Sequence, residues 1–265
     1  MNPPPNPSFE VGADRIGWIT FDDPDRSLNV LTEPVMRRFG ACLDEARAAA
    51  RERRIGVLVV RSGKPDSFIA GADIDAIAAI DDPAEAEAKI RMGQAVFNDL
   101  ASLPITTVAA IHGICVGGGL EIAGTCDIRV CGASSRFGAP INKLGLVMGY
   151  AELDALIALA GRSTALEILL EGRIFGAAEA KEKGLVTRVV DDAEVENEAM
   201  ATARRIAEGA PLVARWHKKF AARLAEDRPL TPEELDEGYA CYDTEDFRIG
   251  YRAFLDKVKP EFKGR

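Results

Sequence analysis

Histidine is scarce in this sequence, cysteine is sparse and unpatterned, and long apolar runs are missing. There are two histidines, His112 and His217, and no G-x-S-x-G elbow, which leaves little material for a serine-hydrolase triad. The five cysteines, at 42, 115, 126, 131 and 241, are odd in number and form no C-x-x-C pair. That excludes a disulfide framework and a zinc pattern, and the thiols read as reduced and mostly buried, with no metal expected. No apolar stretch approaches the ~18 residues that a membrane span needs. The opening MNPPPNPSFE has neither a basic n-region nor an apolar h-region and reads as the frayed leader of a cytoplasmic protein. Basic residues are outnumbered, 33 against 42 acidic, and the net charge of -9 argues against a broad nucleic-acid surface, although a local basic patch for a phosphate stays open. With 47% hydrophobic and 28% charged positions the chain is globular, not disordered, and its 265 residues suffice for one large domain or two small ones. The expected partner is a small molecule.

Apolar, β-rich runs alternate with helical patterns, which predicts an α/β architecture with crossover connections. Residues 15–22 (RIGWITFD) read as a strand, 33–51 as an amphipathic helix and 55–61 (IGVLVVR) as a fully buried strand. The pattern returns with a helix over 83–100, a buried strand at 105–111, a helix opening after Gly117 and a strand at 127–131. From about residue 195 the strand signal stops, and helices are predicted at 195–208, 211–225, 231–242 and 244–257. The expected organisation is therefore a core over 1–195 and a helical region over 196–265, packed on the core or on a neighbouring subunit because no linker separates them.

Two segments have the composition of a site. The first, SFIAGADI at 67–74, is a short apolar strand ending in a glycine turn ahead of a helical stretch. Gly71 permits a tight turn, and the small Ala70 and Ala72 leave main-chain groups open to a ligand. A strand–turn–helix junction with Asp73 as helix cap explains the same residues without a ligand. The second, IHGICVGGGLE at 111–121, runs a buried strand into three glycines and then a carboxylate on the first helical turn. Ordering three glycines in a row is costly, so their presence at a helix start points to a backbone that must come close to something. The unpaired N–H groups and positive dipole end of a helix suit a carbonyl oxygen gaining negative charge, and Glu121 lies one turn beyond Gly118 on the same face. Alternatively, Glu121 completes a capping box by reaching back to the N-cap N–H. The glycine spacing fits neither a dinucleotide fingerprint nor a P-loop. His112 reads as a satisfied core or turn histidine, His217 as part of a solvated basic helix face, and Tyr239, Tyr242 and Phe247 as packing residues.

Together these segments resemble the enoyl-CoA hydratase/isomerase, or crotonase, superfamily. FIAGADI (68–74), IHGICVGGGLEIAGTCDIRV (111–130), RFGAPINKLGL (136–146), GRIFGAAEAKEKGLVTRVV (172–190) and TEDFRIGYRAFLDKVKPEFKGR (244–265) each look like the matching family segment, so the resemblance spans nearly the whole chain. FDDPDRSLNVL (21–31) and SGKPDSFIAGADI (62–74) look most like the hydratase portion of fatty-acid β-oxidation multienzyme subunits, without their dehydrogenase half.

The resemblance implies a spiral of β-β-α units over 1–195, with a C-terminal helical layer through which a homotrimer or hexamer assembles. It implies that the backbone N–H groups of Ala72 and Gly118 form an oxyanion hole for a thioester carbonyl, with Glu121 as acid or base. The Ala70 carbonyl would receive the adenine amino group, Phe68 and Ile74 would border the acyl-CoA channel, and Leu28 would flank the pantetheine arm. Phe254 and Lys257 would complete the coenzyme A site from the C-terminal helices, Lys257 as a cation for a phosphate. No separate cofactor is implied, coenzyme A being part of the substrate.

One departure stands out. Family hydratases place a second glutamate directly after the proline of the FGxPE segment, and Ile141 occupies that position here. The stretch VMGYAELD (147–154) also replaces the family's glycine-rich turn and introduces Tyr150, Glu152 and Asp154 as candidate proton donors, although acidic residues in a first helical turn explain the last two without chemistry. Hydration needs a base for water and an acid for Cα, which two carboxylates supply. The sequence therefore points first to an atypical enoyl-CoA hydratase with an oxyanion hole and one glutamate. Isomerisation comes next, then decarboxylation or thioester hydrolysis, with a non-catalytic acyl-CoA binder as the contrasting case.

Overall fold

The computed structural model describes residues 5–12 and 14–265. The start of the expected leader, residues 1–4, lies outside the described residues. Its end is not frayed: Ser8–Val11 forms strand β1, antiparallel to β2 (Ile16–Phe21) with Ser8 opposite Thr20 and Val11 opposite Gly17. Phe9 anchors this strand by packing against the main core. Next come α1 (Glu33–Arg51), β3 (Val57–Ser62), β4 (Ser67–Ile69), α2 (Ile74–Ala78), α3 (Pro83–Ala101), β5 (Thr106–Ile111), β6 (Ile114–Val116) and α4 (Gly118–Thr125). The chain continues through β7 (Ile128–Gly132), β8 (Arg136–Gly138), a 3₁₀ turn at Pro140–Leu144, α5 (Tyr150–Ala160), α6 (Arg162–Glu171), β9 (Phe175–Gly176), α7 (Ala177–Glu182) and β10 (Arg188–Val190). Four helices close it: α8 (Val195–Ala207), α9 (Pro211–Leu224), α10 (Pro232–Glu237) and α11 (Glu245–Asp256).

The strands form a six-stranded sheet, β1-β2-β3-β5-β7-β10, and a four-stranded sheet, β4-β6-β8-β9. Apart from the antiparallel β1 and β9 all pairings are parallel. Each of β3-β4, β5-β6 and β7-β8 places its first strand in the large sheet and its second in the small one before a helical stretch follows. This is the expected β-β-α spiral. The second strands are only three residues long, so hydropathy alone merges them with the turns after them.

The four central strands of the large sheet, β2, β3, β5 and β7, are buried on both faces, which is why they are nearly uniform apolar runs. Ile19, Leu58, Val60, Ala109 and Ile111 face the core shared with Phe39 and Leu43 of α1 and Leu100 of α3. Trp18, Val57, Val59, Val108 and Ala110 face the opposite way and are covered by Val195, Ala199 and Ala203 of α8. The helix starting at the expected 195/196 boundary thus buries one face of the sheet. The helix expected over 231–242 is shorter: α10 ends at the poor helix former Gly238, and a 3₁₀ turn follows at Ala240–Asp243. Among the described residues no helix is long and apolar enough to cross a membrane.

Helix α4 packs against β4 and β6 of the small sheet and against α3 and α5, and Gly119 makes the close fit to β4 possible. A Cβ at this position would stand 2.1 Å from the Ile69 carbonyl oxygen, where no side-chain atom can sit. Gly119→Ala separates two effects of opposite sign. Helix propensity alone stabilises the protein by about 1 kcal/mol, whereas the clash with the β4 backbone costs roughly 2 kcal/mol or more because main chain must move. Urea unfolding is expected to show net destabilisation, and a stabilised variant would show that α4 does not touch β4 as described.

Candidate active site

Two glycine turns meet at the edge of the small sheet. Gly71, after β4, has φ +93°, a conformation natural to glycine. A Cβ on it would lie 3.2 Å from the Val116 carbonyl oxygen and 3.6 Å from the Gly118 nitrogen. The turn is held from behind by the loop before α1, since the Ala70 N–H donates to the Asn29 carbonyl and the Leu31 N–H to the Gly71 carbonyl, both at 2.8 Å. Asn29 itself is buried. Its side-chain amide lies 3.0 Å from the Phe21 carbonyl, 2.8 Å from Ser62 Oγ and 3.0 Å from the Phe68 carbonyl, locking loop and strand together. Among the described residues neither the Ala72 nor the Gly118 N–H has an acceptor, and Ala72 is exposed while Gly118 is half-buried. Both expected donors are therefore free and on adjoining turns.

Helix α4 orients the next group. Gly117 is its N-cap, but the Gly117 N–H donates to the Gly138 carbonyl at 2.9 Å and no side chain caps the helix. The capping box is therefore not formed, and the Glu121 carboxyl is left for other work. At the far end the buried Arg129 guanidinium reaches the carbonyls of Ala123 and Gly124, each at 3.4 Å, and that of Cys126. A cation at the C-terminus complements the helix dipole and leaves the positive N-terminus facing the two free donors.

Glu121 lines a cleft of about 170 Å³ between α3, α4 and α5. Its walls are mainly apolar: Phe97 and Ala101 from α3, Leu120 from α4, Met148 before α5, and Leu156 and Leu159 from α5. Burial among these side chains raises the Glu121 pKa to about 7, with the negative charge of Glu152 adding to the shift. At neutral pH this carboxyl is poised between its two protonation states, as acid–base catalysis requires.

Glu152 lies in the first turn of α5, as expected, and does more than complement the helix dipole. Its side chain lines the same cleft, where Oε1 accepts a hydrogen bond from Gln94 Nε2 at 2.9 Å, while Oε2 is buried without a partner. Two glutamates, Glu121 and Glu152, thus line one cleft. Asp154 is exposed, and Tyr150 is 95% exposed; neither lines the cleft. A signal for Glu152 was present in the sequence, since Glu152, Ala155, Leu156 and Leu159 follow helical spacing and share one face of α5. Gln94, Phe97, Asn98 and Ala101 do the same on α3.

Other expected site residues are placed less uniformly. Phe68 does not border a channel: it is fully buried, because all three residues of β4 are enclosed in the core. Ile141 packs against the main core and does not line the cleft. Leu28 and Ala70 are half-buried beside the Gly71 turn, and Ile74, 50% exposed, opens α2, which Asp73 caps by accepting from the N–H of Asp75 and Ala76. Phe254 is 83% exposed, and Lys257 ends α11 in a left-handed conformation; neither lines the cleft. His112 is half-buried and His217 exposed, both outside it. Tyr239, Tyr242 and Phe247 are exposed, although Tyr242 and Phe247 pack edge to face at 5.0 Å. The cysteines are free, and burial pushes Cys42 up to about 11 and Cys126 and Cys131 up to about 12, so none of these three offers a thiolate near neutral pH.

The enoyl-CoA hydratase/isomerase family model matches residues 12–265. The fold superposes on the crystal structure of an enoyl-CoA hydratase/carnithine racemase from Magnetospirillum magneticum with a TM-score of 0.92 and 41% identity, over 98% of this chain and 97% of that one. An enoyl-CoA hydratase from Bacillus anthracis superposes with a TM-score of 0.88 and 27% identity, over 98% of this chain and 100% of that one. The fatty acid oxidation complex subunit alpha of Aliivibrio fischeri is 40% identical over 175 residues, 65% of this chain and 25% of that protein. The chain thus spans about a quarter of the length of such relatives.

The raised pKa of Glu121 makes stability depend on pH in a definite direction. Between the usual carboxylate range and about 7 the folded protein holds a proton that the unfolded chain has released, so stability falls as pH rises through that window. Glu121→Gln removes this dependence. Thermal melts are expected to show the variant more stable than the wild type at about pH 8, with the gap shrinking by about pH 5. Parallel pH profiles for the two proteins would show that the carboxyl is not buried as described.

Proposed function

The chain belongs to the enoyl-CoA hydratase/isomerase family, and from that membership we propose that it hydrates enoyl-CoA thioesters, with the Ala72 and Gly118 N–H groups as oxyanion hole and Glu121 as an acid–base group. The observation behind this is a glutamate with a pKa of about 7, in an apolar cleft, one helical turn from a free N–H at a helix N-terminus.

Chemistry follows from that arrangement. A thioester carbonyl seated between two N–H donors is polarised, and when water adds at Cβ the π electrons move onto its oxygen, giving an enolate that the same donors stabilise. Donors fixed by backbone geometry need not reorganise as charge develops. The enolate collapses when Cα accepts a proton, and a carboxyl poised near neutrality supplies it efficiently. The apolar walls suit an acyl chain and keep bulk water from the enolate. Isomerisation is less well supported, because the position at which the family resemblance sets its carboxylate is occupied by Ile141, which packs into the core.

Turnover of crotonyl-CoA, followed by loss of the enoyl-thioester absorbance, tests this function. The wild type is expected to hydrate it, and Glu121→Gln to lose about 10²–10⁴-fold in kcat, the usual contribution of an acid–base group. A variant as fast as the wild type would remove Glu121 from the mechanism.

A further inference from the structure

The hydration chemistry above leaves one role unfilled, that of the group that activates water. Ile141 has no acid–base chemistry and faces the core. Across the cleft from α4, Glu152 occupies the third position of α5, with its side chain folded back over the helix start: a Cβ on Gly149 would meet Glu152 Oε2 at 2.5 Å and Gln94 Nε2 at 3.3 Å. Only glycine at 149 leaves room for this conformation. The Gln94 amide fixes Oε1 at 2.9 Å, while Oε2 is buried and receives no hydrogen bond. A buried carboxylate oxygen without a donor is costly to maintain, and such an orphan on the wall of the cleft that Glu121 also lines points to a partner that arrives with the reaction.

We propose that Glu152, held in place by Gln94, is the second carboxylate of the reaction, so that the pair is formed by α4 and α5 and not by α4 and the segment after Pro140. The proposal rests on the hydratase reading and gives Glu152 a share in it. In the starting state Glu121 holds the pair's one proton and Glu152 is charged. As the water oxygen bonds to Cβ, an O–H bond breaks and its proton passes to Glu152 Oε2. The π pair moves to the thioester oxygen between Ala72 and Gly118. The carbonyl re-forms as Cα takes the proton from Glu121, so one water has been added and the pair still holds one proton, now on Glu152. Return of that proton to Glu121 resets the site.

Gln94 is a positioning residue, and its chemistry fits the task. A neutral amide orients the carboxylate without cancelling its charge, so the field that helps keep Glu121 protonated survives; a lysine or arginine there would abolish it. Among the residues lining the cleft, Glu121 on α4 and Glu152 on α5 are the only titratable groups, and α3 contributes the amides Gln94 and Asn98.

The test compares wild type, Glu121→Gln, Glu152→Gln and Gln94→Met in crotonyl-CoA hydration across pH. Glu152→Gln is expected to lower kcat about 10²–10⁴-fold with KM within a few-fold, and to move the apparent pKa of Glu121, followed by its carboxyl infrared band, downward because the neighbouring charge is gone. Gln94→Met is expected to lower kcat about tenfold at unchanged KM, with a shifted pH profile that a merely structural role would not produce. Loss of turnover in Glu121→Gln with wild-type kcat and pH profile in Glu152→Gln would overturn the role of Glu152 and leave the hydratase function standing. A wild type that hydrates no enoyl-CoA would overturn both.

Discussion

Main chain meets main chain where the Gly71 turn packs against the first turn of α4, and the rest of the site depends on that contact. With the Val116 carbonyl oxygen 3.2 Å from where a Gly71 Cβ would be, and the Ile69 carbonyl oxygen 2.1 Å from where a Gly119 Cβ would be, a side chain at either glycine would crowd the main chain opposite it. Two consequences follow from one steric fact. The free N–H groups of Ala72 and Gly118 are brought onto neighbouring turns, and the axis of α4 is fixed against β4 so that Glu121 projects into the cleft. Glycine is conformationally costly at each of these positions, and the surrounding network offsets the cost: Asn29 ties the supporting loop to β4, and Arg129 neutralises the far end of α4.

Electrostatics then sort the groups that geometry has assembled. The cleft combines apolar walls with two carboxylates and two amides, and among the described residues no cation lines it. Burial and like charge act on Glu121 in the same direction and bring it to about 7. Cations near the site serve elsewhere, Arg26 on Asp73 at 2.9 Å and Arg129 on the α4 carbonyls. The negative charge inside the cleft is therefore left uncompensated, which favours holding a proton for transfer over maximal stability.

Much of this was legible in the sequence, and the parts that were not have physical reasons. The buried strands, the boundaries of α1 at 33 and 51, and the glycine run at the start of α4 follow from hydropathy, proline placement and backbone entropy, all local properties. The capping-box alternative for Glu121 was not decidable locally, because it turned on the Gly138 carbonyl, which claims the Gly117 N–H from another strand. Glu152 was only half legible for a related reason: its spacing with Ala155, Leu156 and Leu159 puts it on one face of α5, but an acidic residue in a first helical turn is ordinarily explained by the dipole, and its partner on α3 lies 58 residues away. Phe68 differs in the opposite sense: the family resemblance set it along the channel, and three-dimensional packing buries it completely.

The central claim is that the Ala72 and Gly118 N–H groups grip a thioester carbonyl, and isotope-edited infrared spectroscopy reads that grip directly. Butyryl-CoA carrying a ¹³C label at its thioester carbonyl would be bound to the protein and its C=O stretch compared with that in water. Two donors on one oxygen are predicted to weaken the C=O bond and move the band to lower frequency than in water, with the shift reduced when Gly118 is displaced by the Gly119→Ala change. A bound thioester whose band stays at its aqueous position would contradict the account, since the two turns would then meet without forming an oxyanion hole.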